Sequence, residues 1–123
     1  MSKIDKTLCY IGSALLLVMG IFHGSGTLWI SGKVAESNAE EFLKDVFPIL
    51  FAHVSMHLIG LAILGVLLTF FGKSAWSILV LLSLLVLADA GLAFSLGALP
   101  PGMLLLAAST CFAISAVRLK RGG

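Results

Sequence analysis

Four ionisable side chains lie inside long apolar stretches of this sequence, namely His23, His53, His57 and Asp89. A carboxylate at the centre of a membrane costs about 2.5–3.5 kcal/mol on insertion scales, so such residues usually have a partner or a function. His53 and His57 are four residues apart and therefore share one face of a helix. The sequence thus predicts a ligand or proton pocket built from three imidazoles and one carboxylate.

Several chemistries fit this set of side chains. The spacing of His53 and His57 is used by metal ligands on one helix, and His23 or Asp89 could complete a metal site. A proton relay between Asp89 and an imidazole, or a pocket for a quinone or a lipid headgroup, is also compatible. Haem is less favoured, because two histidines on the same side of one helix cannot both ligate one iron. The alternative is structural, with Asp89 paired to a histidine to hold the helices in register.

The composition determines the class of protein. Of the 123 residues, 59% are hydrophobic and 11% are charged, and the mean hydropathy is +1.12. A soluble domain is usually about a quarter charged, so this chain has too few charges to cover a soluble globule. Eight Lys and Arg against six Asp and Glu form no basic stripe for a nucleic acid. An integral membrane protein with a single domain over residues 1–123 remains.

Four stretches are long enough to cross about 30 Å of hydrocarbon as helices. We predict an all-α fold of four transmembrane helices in an up-down bundle, with a loop at 29–46 and spans at about 8–28, 47–71, 75–96 and 102–118. At about 1.5 Å per residue, the three histidines and Asp89 all fall in the half of the membrane nearest that loop. We therefore expect Asp89 to point inward, within hydrogen-bond reach of at least one histidine.

The connections also carry local signals. Residues 37–40 (Ser-Asn-Ala-Glu) match a capping box, which predicts a short surface helix separated from the second span near Pro48. Gly72 is expected to stop the second span and Ser74 to cap the third. The paired prolines within residues 97–102 predict a second short turn.

The positive charges predict the orientation. Six cations fall at the two termini and in the short second loop, while the first loop is acidic; they are Lys3, Lys6, Lys73, Arg118, Lys120 and Arg121. The positive-inside rule places both termini in the cytoplasm of a cell inner membrane, with the acidic loop outside.

Small residues recur at spacings that bring helices together. Gly20 and Gly24 form a Gly-x-x-x-Gly pair, and Ala107, Cys111 and Ser115 form a ladder on the fourth span. We predict these as packing seams, within the bundle or between subunits. A homo-oligomer or a larger membrane complex is therefore expected.

Residues 17–24 (Leu-Val-Met-Gly-Ile-Phe-His-Gly) resemble the first helix of the DoxX-like small membrane proteins, which also have four helices. The resemblance implies a role beside partner subunits, since some members are linked to quinone-dependent sulfur oxidation. We therefore expect a small redox-associated or accessory subunit that binds a metal, a quinone or a lipid at the His/Asp pocket. The alternatives are an oligomeric proton-coupled transporter or channel, and a ligand-free assembly factor. Whether the protein is an enzyme is left open.

Overall fold

The computed structural model describes residues 1–122, and Gly123, the last residue of the predicted domain, lies outside them. The described chain is all helical: α1 (Lys3–Ser25), α2 (Thr27–Ala35), α3 (Glu41–Leu68), α4 (Trp76–Ser95) and α5 (Leu99–Arg121), with a short 3-10 turn at Gly72–Ala75 before α4. Four segments are long and apolar enough to cross a membrane: α1 with α2, then α3, α4 and α5. This confirms the prediction of an all-α, multi-pass membrane protein.

The helices pack in the order α3, α1, α5 and α4, so that α1 and α5 lie at the centre. Contacts between α3 and α4 are slight, although these helices are joined by a short turn. The centre of the bundle is occupied by Phe112, whose side chain is fully buried. Its ring lies against Gly12 of α1 and Gly65 of α3, where a Cβ would overlap the ring. The absence of side chains at these glycines therefore lets three helices converge on one aromatic ring.

The first connection differs from the prediction. Residues 29–46 are mostly helical, because they contain most of α2 and the start of α3. Pro48 does not break α3: a proline removes one backbone hydrogen bond, and α2 packs against the helix that carries it. The capping box is also wrong, since Ser37 Oγ donates to the Val34 carbonyl and accepts from Ala39 N–H instead. Glu40 occupies the N-cap of α3 without a side-chain cap.

The two short turns use glycines with positive φ. Gly72 has a φ of 61° and Gly97 a φ of 72°, conformations that favour glycine over other residues. Ser74 is not the cap of α4, because its hydroxyl donates back to the Phe71 carbonyl within the 3-10 turn. The second turn is shorter than expected, since α5 starts at Leu99 and holds both prolines in its first turn. Prolines are tolerated there because those N–H groups have no partner within the helix.

Candidate functional site

The structure places His57 of α3 beside Asp89 of α4. His57 Nε2 lies 3.3 Å from Asp89 Oδ2, and the two side chains are 40% and 24% exposed. His57 is therefore the histidine that Asp89 was expected to reach. Asp89 lies about 9 Å along α4 from its end at Ser95, and His57 about 16 Å along α3 from its end at Leu68. Both groups are thus well inside segments that are apolar enough to span a membrane.

The pair is close but not aligned for a straight hydrogen bond. Asp89 Oδ2 is buried, yet no donor within residues 1–122 meets hydrogen-bond geometry with it. The contact is therefore electrostatic in character, and it is an ion pair only when the imidazole is protonated. It spans the side of the bundle where α3 and α4 make few other contacts.

His23 occupies a different place, in the contact between α1 and α3. Its Nδ1 lies 3.0 Å from Ser55 Oγ, and its ring stacks on Phe51 with the ring centroids 4.0 Å apart. Gly24 lies against Ser55 as well, where an added Cβ would be 3.3 Å from the hydroxyl. One ring nitrogen of His23 is thus bonded within its own chain, as in a structural histidine at a helix contact.

The four predicted site residues do not converge on one pocket, and the reason lies on α3. Ser55, which contacts His23, is buried, whereas His57 two residues later lies about 160° around the helix. His23 and Asp89 therefore approach α3 from opposite sides. The core face of α3 carries Ser55 and Ala62 and is continued by its C-cap Thr69, and the histidines lie away from it.

His53 lies one turn before His57 and is exposed, without a side-chain partner in the described part of the chain. Within residues 1–122, no three His, Cys, Asp or Glu side chains form a group that could hold a metal ion. The metal site predicted from His53, His57 and His23 is therefore not assembled in this structure. The arrangement offers instead a histidine–carboxylate pair with a second imidazole beside it on the surface.

The predicted packing seams divide into buried and exposed positions. Gly20 packs closely on α3, since an added Cβ would lie 2.9 Å from Ile59 Cγ1. Ser115 is fully buried, and its hydroxyl lies 3.3 Å from Cys9 Sγ. Ala107 is exposed and Cys111 is only half-buried, so the ladder runs along the edge of the face that α5 buries. The main small residues of that face are Ala108, Ser109 and Ala116, and Ser109 Oγ donates to the Ser83 carbonyl of α4 at 2.8 Å.

One polar cluster was missed by the sequence analysis. Asp5 lies in the first turn of α1 and accepts from Arg118 Nε at 2.8 Å, and its side chain is 6% exposed. Ser2 and Asp5 form a capping box, in which each side chain bonds the backbone of the other. The spacing Ser2-x-x-Asp5 before an apolar run is the signal that would have predicted this box. The pairing with Arg118 has no such signal, because it joins residues at opposite ends of the chain.

The comparisons with known proteins return no relative. No protein-family model matches the chain, and neither a curated protein nor a solved structure matches it significantly. The resemblance to the DoxX-like proteins stays a prediction.

Proposed function

We propose that this protein is an accessory subunit of a membrane assembly, and that the face formed by α3 and α4 contacts a second copy of the chain. We call this face, which carries His53, His57, Gly60 and Asp89, the histidine face. The observation that carries the proposal is the partial exposure of the His57–Asp89 pair, with the exposed His53 beside it, within membrane-spanning helices. The cell inner membrane and cytoplasmic termini are part of the same proposal, on the distribution of Lys and Arg.

The histidine face carries an energetic cost when the chain is alone in lipid. In lipid, two exposed imidazoles and a partly exposed carboxylate would face hydrocarbon, where polar groups find no hydrogen-bond partners. A second protein surface would remove this cost by supplying hydrogen-bond partners for the imidazoles and the carboxylate. Such a contact requires no cavity in either subunit. Two open depressions of the described chain lie away from this face, one beside Tyr10 and Ala62 and one beside Asp5 and Arg118. Because His53, His57 and Gly60 are all exposed on the surface of the helix, a covering protein surface suits the histidine face.

The chemistry of the face favours a second copy as the partner. His53 and His57 are exposed and can donate, and the Asp89 side chain, although its Oδ2 is buried beside His57, stays 24% exposed and can accept. A two-fold axis would place the imidazoles of each copy near the carboxylate of the other, because a two-fold interface is self-complementary. Gly60 lies three residues after His57 and has open space where a Cβ would be. It would permit the close helix approach that drives association in lipid.

The test is the oligomeric state of the full chain, measured by native mass spectrometry from mild detergent. We expect a dimer for the wild type and a monomer for Gly60→Leu, which adds bulk to the face at a position where the first added carbon has open space. Gly91→Leu is the matched control: Gly91 also has open space, but it lies two residues from Asp89 and so on another side of α4. His23→Gln should also leave the dimer intact.

Three results would overturn the proposal. They are a wild type that is monomeric on its own, a dimer that survives Gly60→Leu, and a monomer that purifies with a bound quinone or metal. If a different membrane protein co-purifies and is lost on Gly60→Leu, the choice of a second copy is wrong, and the accessory role is supported.

A further inference from the structure

A second polar region lies at the end of the bundle where the two termini and the α3–α4 turn meet. It is an open cavity of about 500 Å³, lined by Lys73, Arg118 and Arg121 together with Ser2 and Asp5. Three cations thus surround one carboxylate. This region is separate from the histidine face, and its chemistry is that of an anion site.

The single carboxylate is already engaged by its own chain. Asp5 Oδ2 accepts from Ser2 Oγ at 2.6 Å and from Ser2 N–H at 3.1 Å, while Oδ1 accepts from Arg118 Nε at 2.8 Å. The bond to Nε fixes the guanidinium and leaves its two terminal amino groups without a protein acceptor in the described chain. Asp5 is therefore a positioning residue that orients Arg118.

The other two cations are uncommitted. Lys73 and Arg121 are exposed and form no ion pair within residues 1–122, so their charges are available to a ligand. Lys120 is differently placed, since its ammonium lies 5.1 Å from the centroid of the Trp76 ring. Among residues 1–122, Asp5 is the one acidic side chain that lines the cavity, so an excess of positive charge remains there.

The position of Trp76 places the cavity at the depth of lipid headgroups. Trp76 is the first residue of α4 and comes three residues after Lys73. Tryptophan is enriched where the hydrocarbon meets the headgroups, because its ring is apolar and its N–H is polar. An anion at this depth is most readily a phosphate group in the plane of the headgroups.

We infer that this cavity binds a phosphate group, supplied by the headgroup of an anionic phospholipid or by free phosphate. The Arg118 fork fits two phosphate oxygens, and Lys73 and Arg121 add charge from the turn before α4 and from the last turn of α5. Basic pockets between transmembrane helices bind anionic headgroups by the same chemistry.

The experiment titrates the full chain with phosphatidylglycerol, phosphatidylcholine and inorganic phosphate, and follows bound ligand by native mass spectrometry. We expect phosphatidylglycerol to bind more tightly than phosphatidylcholine. Lys73→Gln and Arg121→Gln should each weaken this binding about fivefold, which corresponds to about 1 kcal/mol for each cation near an anionic surface. Lys3→Gln is the matched control, because Lys3 lies at the same end of the bundle but does not line the cavity.

Competition by millimolar inorganic phosphate identifies free phosphate as the source, and binding that only the lipid shows identifies the headgroup. Arg118→Lys keeps the charge and loses the fork, so it should weaken binding while the thermal unfolding temperature stays close to that of the wild type. Equal weakening by Lys3→Gln and Lys73→Gln would overturn the inference, since it would indicate diffuse attraction. Equal binding of both lipids, with no binding of inorganic phosphate, would overturn it as well. None of these variants alters the histidine face.

Discussion

The contact between α1 and α3 and the contact between α3 and α4 are built in opposite ways. In the first, Gly20 and Gly24 bring α1 close to Ser55 and Ile59, and His23 adds a polar contact inside the packed surface. In the second, the helices touch slightly, and His57–Asp89 is the one polar side-chain contact that the described residues make between them. The same helix α3 thus has one side packed by its own chain and one side left open.

The difference between the two sides of α3 explains what each polar group is for. Lipid tails are as apolar as the helices, so close packing and hydrogen bonds hold transmembrane helices together. The side facing α1 has both close packing and a hydrogen bond, so it stabilises the fold of the single chain. The side facing α4 has little packing, and its polar groups remain exposed. We therefore expect substitutions on the packed side to affect folding, and substitutions on the histidine face to affect assembly.

The largest effect is expected at Phe112, on which α1, α3 and α5 converge. Phe112→Ala should lower the free energy of unfolding by about 3–5 kcal/mol, because it leaves a cavity at the centre of the bundle. Phe70→Ala is the matched control, since Phe70 is 74% exposed near the end of α3. The measurement is reversible unfolding in mixed micelles. Similar losses of unfolding free energy for both variants would contradict the distinction between the packed core and the lipid-facing surface.

A smaller effect is expected from adding bulk at the two glycines of α3. Gly65→Val should destabilise the fold by about 1–3 kcal/mol, since its first carbon would meet Ser13 Oγ and the Phe112 ring. The first carbon added by Gly60→Val would have no neighbour within 4 Å, so this substitution should leave unfolding of the monomer nearly unchanged. Comparable destabilisation by the two substitutions in a monomeric preparation would contradict the assignment of Gly65 to folding and Gly60 to assembly.

Most of the architecture could be predicted because it depends on composition and length. Four apolar stretches must become helices in lipid, and glycines mark both short turns. The predictions failed where a side chain had two possible partners. Ser37 and Ser74 were predicted to be helix caps, but each hydroxyl donates a hydrogen bond to a backbone carbonyl three residues earlier. The prediction of a single pocket failed for a similar reason. The sequence gives the depth of each side chain along its helix, but it does not give the side from which a neighbouring helix packs. Ser55 rather than a histidine faces α1, and this choice separated His23 from Asp89.

The smallest effects are expected for the two polar contacts of α3, and double-mutant cycles compare them directly. One cycle combines His57→Gln with Asp89→Asn, and the other combines His23→Gln with Ser55→Ala, both in a Gly60→Leu background that keeps the chain monomeric. Polar contacts between transmembrane helices average about 0.6 kcal/mol and reach about 1.7 kcal/mol, because the unfolded chain in the membrane also finds partners.

The coupling of His23 to Ser55 is expected near the average, because the pair lies 3.0 Å apart within a surface that packing already holds. The coupling of His57 to Asp89 is expected nearer the upper value, since charge can contribute and little else joins α3 to α4. A coupling free energy close to zero for His57–Asp89 would show that the pair does not hold α3 and α4 together in the monomer. The partly exposed carboxylate would then be stabilised by the partner subunit alone, and Asp89→Asn would weaken the dimer more than it destabilises the monomer.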